Sequence, residues 1–214
     1  MTPMLSRSAL AIGLTLALLM AATRSHHFAA TLHLPDASWA VFFLAGFYLR
    51  PRWMFPALIA LAGVSDYVTI AWFGVSDFCV SPAYGFLLPA YGALWLAGRW
   101  YAGRHRFAPS TSIPLAGSVV IGAAVCELIS SGGFYFFSGR FAETSLVELG
   151  LRLAKYFPPS LESLAFWTGI AIVVHTVFTL AGSNFIRTRH QRAGWRSLDD
   201  LVFHNTWGNT EASA

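Results

Sequence analysis

The chain has 214 residues, of which 56% are hydrophobic and only 11% charged, a balance that excludes an ordinary soluble domain. The net charge of +4 comes from arginines dispersed through connectors rather than gathered into a basic patch, so nucleic acid is not an expected partner. Two cysteines give no disulfide framework, and the short alternating segments of a membrane β-barrel are not visible.

Apolar runs of roughly 18 to 25 residues recur instead, the length needed to cross ~30 Å of hydrocarbon. The expected fold is all-α: a polytopic membrane protein of six transmembrane helices, forming a single domain over residues 1–214. The spans fall at about 8–23, 36–49, 53–73, 82–102, 114–137 and 160–186. The first resembles a signal peptide, with Arg7 ahead of Ala9–Met20 and then Ala21-Ala22, and is read as a retained span. Its Gly13, Ala17 and Ala21 repeat every four residues, a small-residue stripe that permits close helix packing. Pro51, Pro82, Pro114 and the pair Pro158-Pro159 mark helix boundaries. Between the fifth and sixth spans, Leu146, Leu149, Leu153 and Phe157 recur at helical spacing opposite Glu148, Arg152 and Lys155. That pattern predicts a short amphipathic helix at the membrane interface. The tail 187–214 is polar and predicted to lie on the cytoplasmic surface, with Ser197 and Asp200 spaced as a capping box.

The basic residues orient these spans. The two termini and the even-numbered loops carry ten, among them Arg50, Arg52, Arg99, Arg104 and Arg106. The odd-numbered loops carry four: Arg24, Arg140, Arg152 and Lys155. Positive residues stay in the cytoplasm, so both termini are expected inside and the connector "SDFCVSPAYG", with Asp77 and Cys79, outside.

Ionisable groups inside apolar runs need a reason, because a bilayer penalises them. Asp66 lies well inside the third span and reads as a functional carboxylate. Glu127, beside Cys126 in the fifth, reads as structural pairing; Glu162 suits a helix N-terminus, and His175 suits packing in the sixth span. Cys126 is embedded in "GAAVCELI" and reads as a small buried hydrophobe. His26 and His27 follow the first span, and only one of two adjacent residues can enter a pocket. Arg152 either pairs with Glu148 four residues upstream or caps a pocket. Cys79 sits in a polar connector that water or a ligand can reach, as a nucleophile or a metal ligand. His27, Asp66, Cys79, Tyr84 and Arg152 come from different segments and all map to the outer side. One thiol, one imidazole and one carboxylate are too few for a closed zinc site, but a single axial ligand suffices when a macrocycle supplies the other four. Aromatic residues near the outer ends of spans two to four, among them Trp39, Phe42, Phe43, Tyr67, Trp72 and Phe73, suit either a large apolar cavity or an interfacial belt.

The segments "HHFAATLHLP", "GVSDYVT" and "FCVSPAYG", in a six-span chain of this length, resemble the BtuM family of bacterial cobalamin (vitamin B12) transport proteins. The resemblance covers essentially the whole chain and is most specific around Cys79. Members of that family are similar to the S-components of energy-coupling-factor vitamin transporters. The resemblance implies an S-component-like bundle in the bacterial inner membrane and cobalamin as the ligand. It implies that Cys79 binds the cobalt of the corrin and promotes removal of cyanide from cyanocobalamin, and that His27, Asp66, Tyr84 and Arg152 line the pocket. It further implies that an energy-coupling module, if there is one, docks on the Gly13/Ala17/Ala21 stripe. No phosphate-binding loop of the Gly-x-x-x-x-Gly-Lys-Ser/Thr type occurs, so ATP hydrolysis is not expected in this chain. Two other readings remain open: a membrane thiol enzyme whose Cys79 nucleophile is activated by His27 or Asp66, and an S-component for a different vitamin.

Overall fold

The computed structural model describes residues 7–24, 34–74, 76, 81–106 and 108–207, with side chains as far as residue 181 except that of Pro109. Cys79, Asp77, His26 and His27 lie outside the described residues. Among those described there are helices and no strand. They run α1 (Arg7–Arg24), α2 (Ser38–Tyr48), α3 (Met54–Phe73), a 3-10 turn (Pro82–Phe86) leading into α4 (Leu87–Ala102), α5 (Ser112–Phe137) and α6 (Leu146–Trp207). The chain divides into one compact unit up to Thr168 and a second, from Gly169 onward, that contains the rest of α6.

Four stretches are long and apolar enough to cross a membrane: α1, α3, α5 and residues 146–181 of α6. Their surfaces agree with that role. On α1, Leu10, Leu14 and Leu18 follow one another on an exposed ridge, and Ile113, Ile121, Val125 and Leu128 do the same along α5. A water-soluble unit does not present so much contiguous apolar surface. The two remaining helices are shorter, 11 residues in α2 and 16 in α4. At 1.5 Å per residue α2 alone covers only about 16 Å.

Helix α2 is the centre of the first unit. Its sequence is apolar all round, as a helix with neighbours on every side requires, and Val41, Phe42, Phe43 and Ala45 are at most 1% exposed. It packs chiefly against α4, which packs on its other side against α5; α1 lies against α2 and α3. The α2–α4 contact depends on two glycines used reciprocally. A Cβ on Gly46 would run into the Trp95 carbonyl, and a Cβ on Gly98 into the Phe43 carbonyl. Backbone thus meets backbone at both places, which only glycine allows.

Two sequence expectations are revised, and a third feature is located. The prolines 158 and 159 do not separate an interfacial helix from the last span: α6 runs through both. Each lacks the N–H that would bond the carbonyl four residues back, at Ala154 and Lys155, and the helix absorbs the two missing bonds without ending. Ser197 does not start a helix, because the backbone is already helical when it reaches that residue. Along the stripe Gly13/Ala17/Ala21, Gly13 is buried, Ala17 half-buried and Ala21 exposed. The reason is angular drift, since four residues advance a helix by 40° more than a full turn. A Cβ on Gly13 would come within 3.0 Å of Met54 Cε, so this glycine serves the α1–α3 packing.

The N-terminus of α2 is pinned from two sides. The Ala37 N–H donates to Thr23 Oγ1 on α1 at 3.0 Å. Trp167 Nε1 donates to the Pro35 carbonyl at 3.0 Å, and the Ser163 hydroxyl donates to the Asp36 carbonyl. These bonds set the position of Asp36, and with it one wall of the cavity described next.

Candidate functional site

A cavity of about 770 Å³ opens in the first unit, lined by residues of α1, α3, the 3-10 turn, α4, α5 and α6 together with Asp36, Ser76 and Phe141. Its size is that of a small-molecule site. Ile70, Leu87, Phe134, Phe141 and Tyr156 supply apolar wall, and polar groups collect at two places.

The first polar group is built around Arg24, the last residue of α1. Its guanidinium straddles the Asp66 carboxylate, with Nε at 2.6 Å from Oδ1 and Nη2 at 2.7 Å from Oδ2. Nη1 donates to Ser38 Oγ on α2 at 3.0 Å and to the Tyr91 hydroxyl on α4 at 2.9 Å. Tyr84, in the 3-10 turn, donates its hydroxyl to Asp66 Oδ2 at 2.7 Å. Ser38 in turn donates from its hydroxyl (2.7 Å) and its backbone N–H (2.9 Å) to Asp36 Oδ1. Tyr91 is held in place by stacking on Phe42, with ring centroids 4.4 Å apart and planes 14° from parallel. One cation therefore ties four helical segments to one another. The fork of an arginine suits this role better than a lysine would, because it presents several donors in a rigid plane.

The second polar group lies where α5 faces the start of α6. Arg152 donates to Glu148 Oε1 from Nη2 at 2.7 Å and from Nε at 3.1 Å. Tyr135 donates to Glu148 Oε2 at 2.9 Å and accepts the Ser145 N–H at 2.8 Å. The Arg152 guanidinium also covers the Phe141 ring, 4.3 Å from its centroid, where the ring face attracts a cation. Arg152 thus does both things the sequence allowed, pairing with Glu148 and lining the cavity.

Of the site residues read from sequence, Asp66, Tyr84 and Arg152 line the cavity together, whereas Cys79 and His27 lie outside the described residues. Ser76 and Ala83, on either side of the Cys79 connector, line it; so do Arg24 and Asp36, on either side of the His27 segment. Glu127 and Glu162 do not line it. Glu127 is buried in α5 and accepts a hydrogen bond from Ser131, the structural pairing expected of it, while Glu162 is exposed. Cys126 is fully buried. The aromatic residues near the helix ends contribute little to the cavity: Phe42 and Phe43 are core, whereas Tyr67 and Trp72 point outward. Among the described residues no three His, Cys, Asp or Glu side chains converge as metal ligands.

Sequence reasoning missed Arg24 as a site residue, because an arginine at the end of a span counts first as a marker of orientation. The available signal was Asp66 itself: a carboxylate inside an apolar run needs a cation, and Arg24 ends the preceding long apolar helix. Tyr91, Ser130, Ser131 and Tyr135 also line the cavity and carry no sequence signal of their own. No protein-family model matches this chain, and no curated protein is significantly similar to it.

Proposed function

We propose that this chain binds cobalamin within the bacterial inner membrane and takes it up, with Cys79 as an axial ligand to the corrin cobalt. The observation that carries this reading is the cavity. It is about 770 Å³, it brings Asp66, Tyr84 and Arg152 together from three segments, and Ser76 and Ala83 border it on either side of the Cys79 connector. Those are the residues and the connector that the resemblance to cobalamin transport proteins singles out. In this reading α2 and α4 complete a six-helix bundle, α4 being extended by its 3-10 turn, and the termini are cytoplasmic by the distribution of arginines. An energy-coupling subunit, where one is used, meets the outer surface of α1 at Ala17 and Ala21, since Gly13 is occupied by Met54.

The chemistry asked of Cys79 is ligand exchange without redox change. A free thiol has a pKa near ~8.5, and coordination to cobalt favours its deprotonated form. The thiolate would donate an electron pair to cobalt(III) on one axial face and displace the benzimidazole nitrogen of the cobalamin from that position, the nitrogen leaving with its own lone pair. The cobalt–cyanide bond on the opposite face weakens, and cyanide leaves with its bonding pair and takes up a proton from solvent. The thiol proton passes to a nearby base, for which His27 and Asp66 are the candidates; Asp66 already accepts three hydrogen bonds, which favours His27.

The test is spectroscopic. Purified protein mixed with cyanocobalamin should change the visible corrin spectrum and release one cyanide per protein. Cys79→Ser should abolish both, whereas Cys126→Ser should leave both intact. Conversion by Cys79→Ser at the parent rate would make Cys79 a packing residue and remove the cobalt-ligand reading.

A further inference from the structure

We infer that the end of the first unit where the α2–α3 and α4–α5 connectors meet holds the phosphate headgroup of an anionic phospholipid, with Arg50, Arg52, Arg104 and Arg106 as its cations. This goes beyond the cobalamin reading and does not depend on it. The two connectors, residues 49–53 and 103–106, are held side by side. Arg99, near the end of α4, donates from Nη1 to the carbonyls of Leu49 (3.2 Å) and Arg50 (3.3 Å), and from Nη2 to that of Arg50 (3.2 Å). Phe47 of α2 stacks on Tyr101 and packs edge-on against His105, whose Nδ1 is 3.0 Å from the Tyr101 hydroxyl. Arg50, Arg52, Arg104 and Arg106 are exposed. The sequence has no Asp or Glu from Ala37 to Ser65 or from Pro82 to Cys126, the stretches that carry them. Among the described residues the ion pairs are Arg24–Asp66 and Arg152–Glu148, so none of these four arginines meets a carboxylate there. Like charges gathered at one place need a counter-ion, and phosphate is one that the arginine fork fits.

Orienting a chain in a membrane needs only the count of such charges, and their placement here does more. Leu96, Trp100 and Arg104 follow one another at four-residue steps along the end of α4 and just past it. Leu96 and Trp100 are exposed, and the Arg104 guanidinium lies 3.9 Å from the centroid of the Trp100 ring. Apolar, indole and cationic groups thus come in the order in which a phospholipid presents its acyl chain, ester region and phosphate. Indole rings concentrate at that level of a bilayer, and Trp53, exposed beside Arg52, supplies a second. The Trp100 ring holds Arg104 in place, while only one of its five N–H donors is engaged, Nη1 with the Trp100 carbonyl at 3.5 Å. A soluble anion would use the arginines and have no need of the Leu96–Trp100 surface. Basic sites between membrane helices take lipid headgroups by this combination.

The experiment uses the full chain in detergent micelles doped with equal mole fractions of phosphatidylglycerol and phosphatidylcholine of the same acyl chains, and native mass spectrometry counts the lipids retained. An arginine near an anionic surface contributes about fivefold in affinity, so the parent should retain phosphatidylglycerol roughly 10-fold or more over phosphatidylcholine. The pairs Arg50→Gln/Arg52→Gln and Arg104→Gln/Arg106→Gln should each lower that preference about fivefold. Arg140→Gln/Lys155→Gln removes the same charge elsewhere and should leave the preference unchanged. Arg140 follows the far end of α5, whose 26 residues put about 39 Å of helix between it and the α4–α5 connector. Millimolar inorganic phosphate should not displace the retained lipid. Because the readout is a ratio between two lipids, a loosened fold does not mimic the expected result. Equal retention of the two lipids by the parent, an unchanged preference in either arginine pair, or an equal loss in Arg140→Gln/Lys155→Gln overturns the inference. Displacement by inorganic phosphate overturns it as well, since the site would then read phosphate alone.

Discussion

Arg24 and Asp66, 42 residues apart in sequence, form a two-point ion pair at 2.6 and 2.7 Å inside a bundle whose outer surface is apolar. The pair closes α1 onto α3 in a largely apolar bundle, and breaking it leaves a half-buried or buried charge without its counter-ion. Asp66→Ala and Arg24→Ala should therefore each destabilise the protein by on the order of 3 kcal/mol. Thermal unfolding in detergent measures this. The double variant Arg24→Met/Asp66→Leu should be more stable than either single alanine variant. Unfolding of both singles at the parent temperature would show that the pair contributes nothing.

Tyr84 and Asp66 are linked by a single hydrogen bond, from the hydroxyl to an oxygen that Arg24 also holds. Tyr84→Phe should accordingly cost only about 1 kcal/mol, because the carboxylate keeps its main partner. A loss as large as that of Asp66→Ala would mean that Tyr84, and not Arg24, sets the carboxylate position.

The reciprocal glycine contact between α2 and α4 makes a sharper stability prediction. Gly98→Ala places a methyl group against the Phe43 carbonyl and Gly46→Ala against the Trp95 carbonyl, and backbone on both sides leaves no room to yield. Each should destabilise by about 1–3 kcal/mol or more. Gly150→Ala in α6 is the control: nothing lies within 4 Å of the added Cβ, and alanine favours the helix by up to about 1 kcal/mol. Equal melting temperatures for Gly98→Ala and Gly150→Ala would contradict the close packing of α2 on α4.

Cys126 has no exposed surface, on a helix face packed into the bundle. A protein carrying Cys126 as its sole thiol, through Cys79→Ser, should resist maleimide reagents until it is denatured, and then react with one equivalent. Mass spectrometry before and after denaturation reads the result directly. Labelling of the native form at the rate of a free thiol would show that α5 is not packed as described.

The sequence was informative wherever the physics is local. Runs of apolar residues long enough for a bilayer identified α1, α3 and α5 to within a few residues, because hydrocarbon tolerates only helices whose backbone is internally satisfied. Asp66 stood out for the same reason, as an ionisable group within such a run; Arg152 stood out through its spacing from Glu148, and Tyr84 as a pocket residue only through the resemblance to cobalamin transport proteins. The Pro158-Pro159 boundary was misread because a proline pair has a strong local preference, which the continuous backbone of α6 overrides.

What only the tertiary structure decided is which charges neutralise which. Glu148–Arg152 was legible as a pair four residues apart on one helix. Arg24 with Asp66, Ser38 and Tyr91 was not, since these groups lie 42, 14 and 67 residues from Arg24 and meet only when α1 to α4 are assembled. The pairing places Arg24 and Asp66 together in the cavity wall. A sequence lists charges, but whether a buried charge is spent on a neighbour or offered to a ligand depends on distances of a few ångströms, which the packing of the helices alone determines.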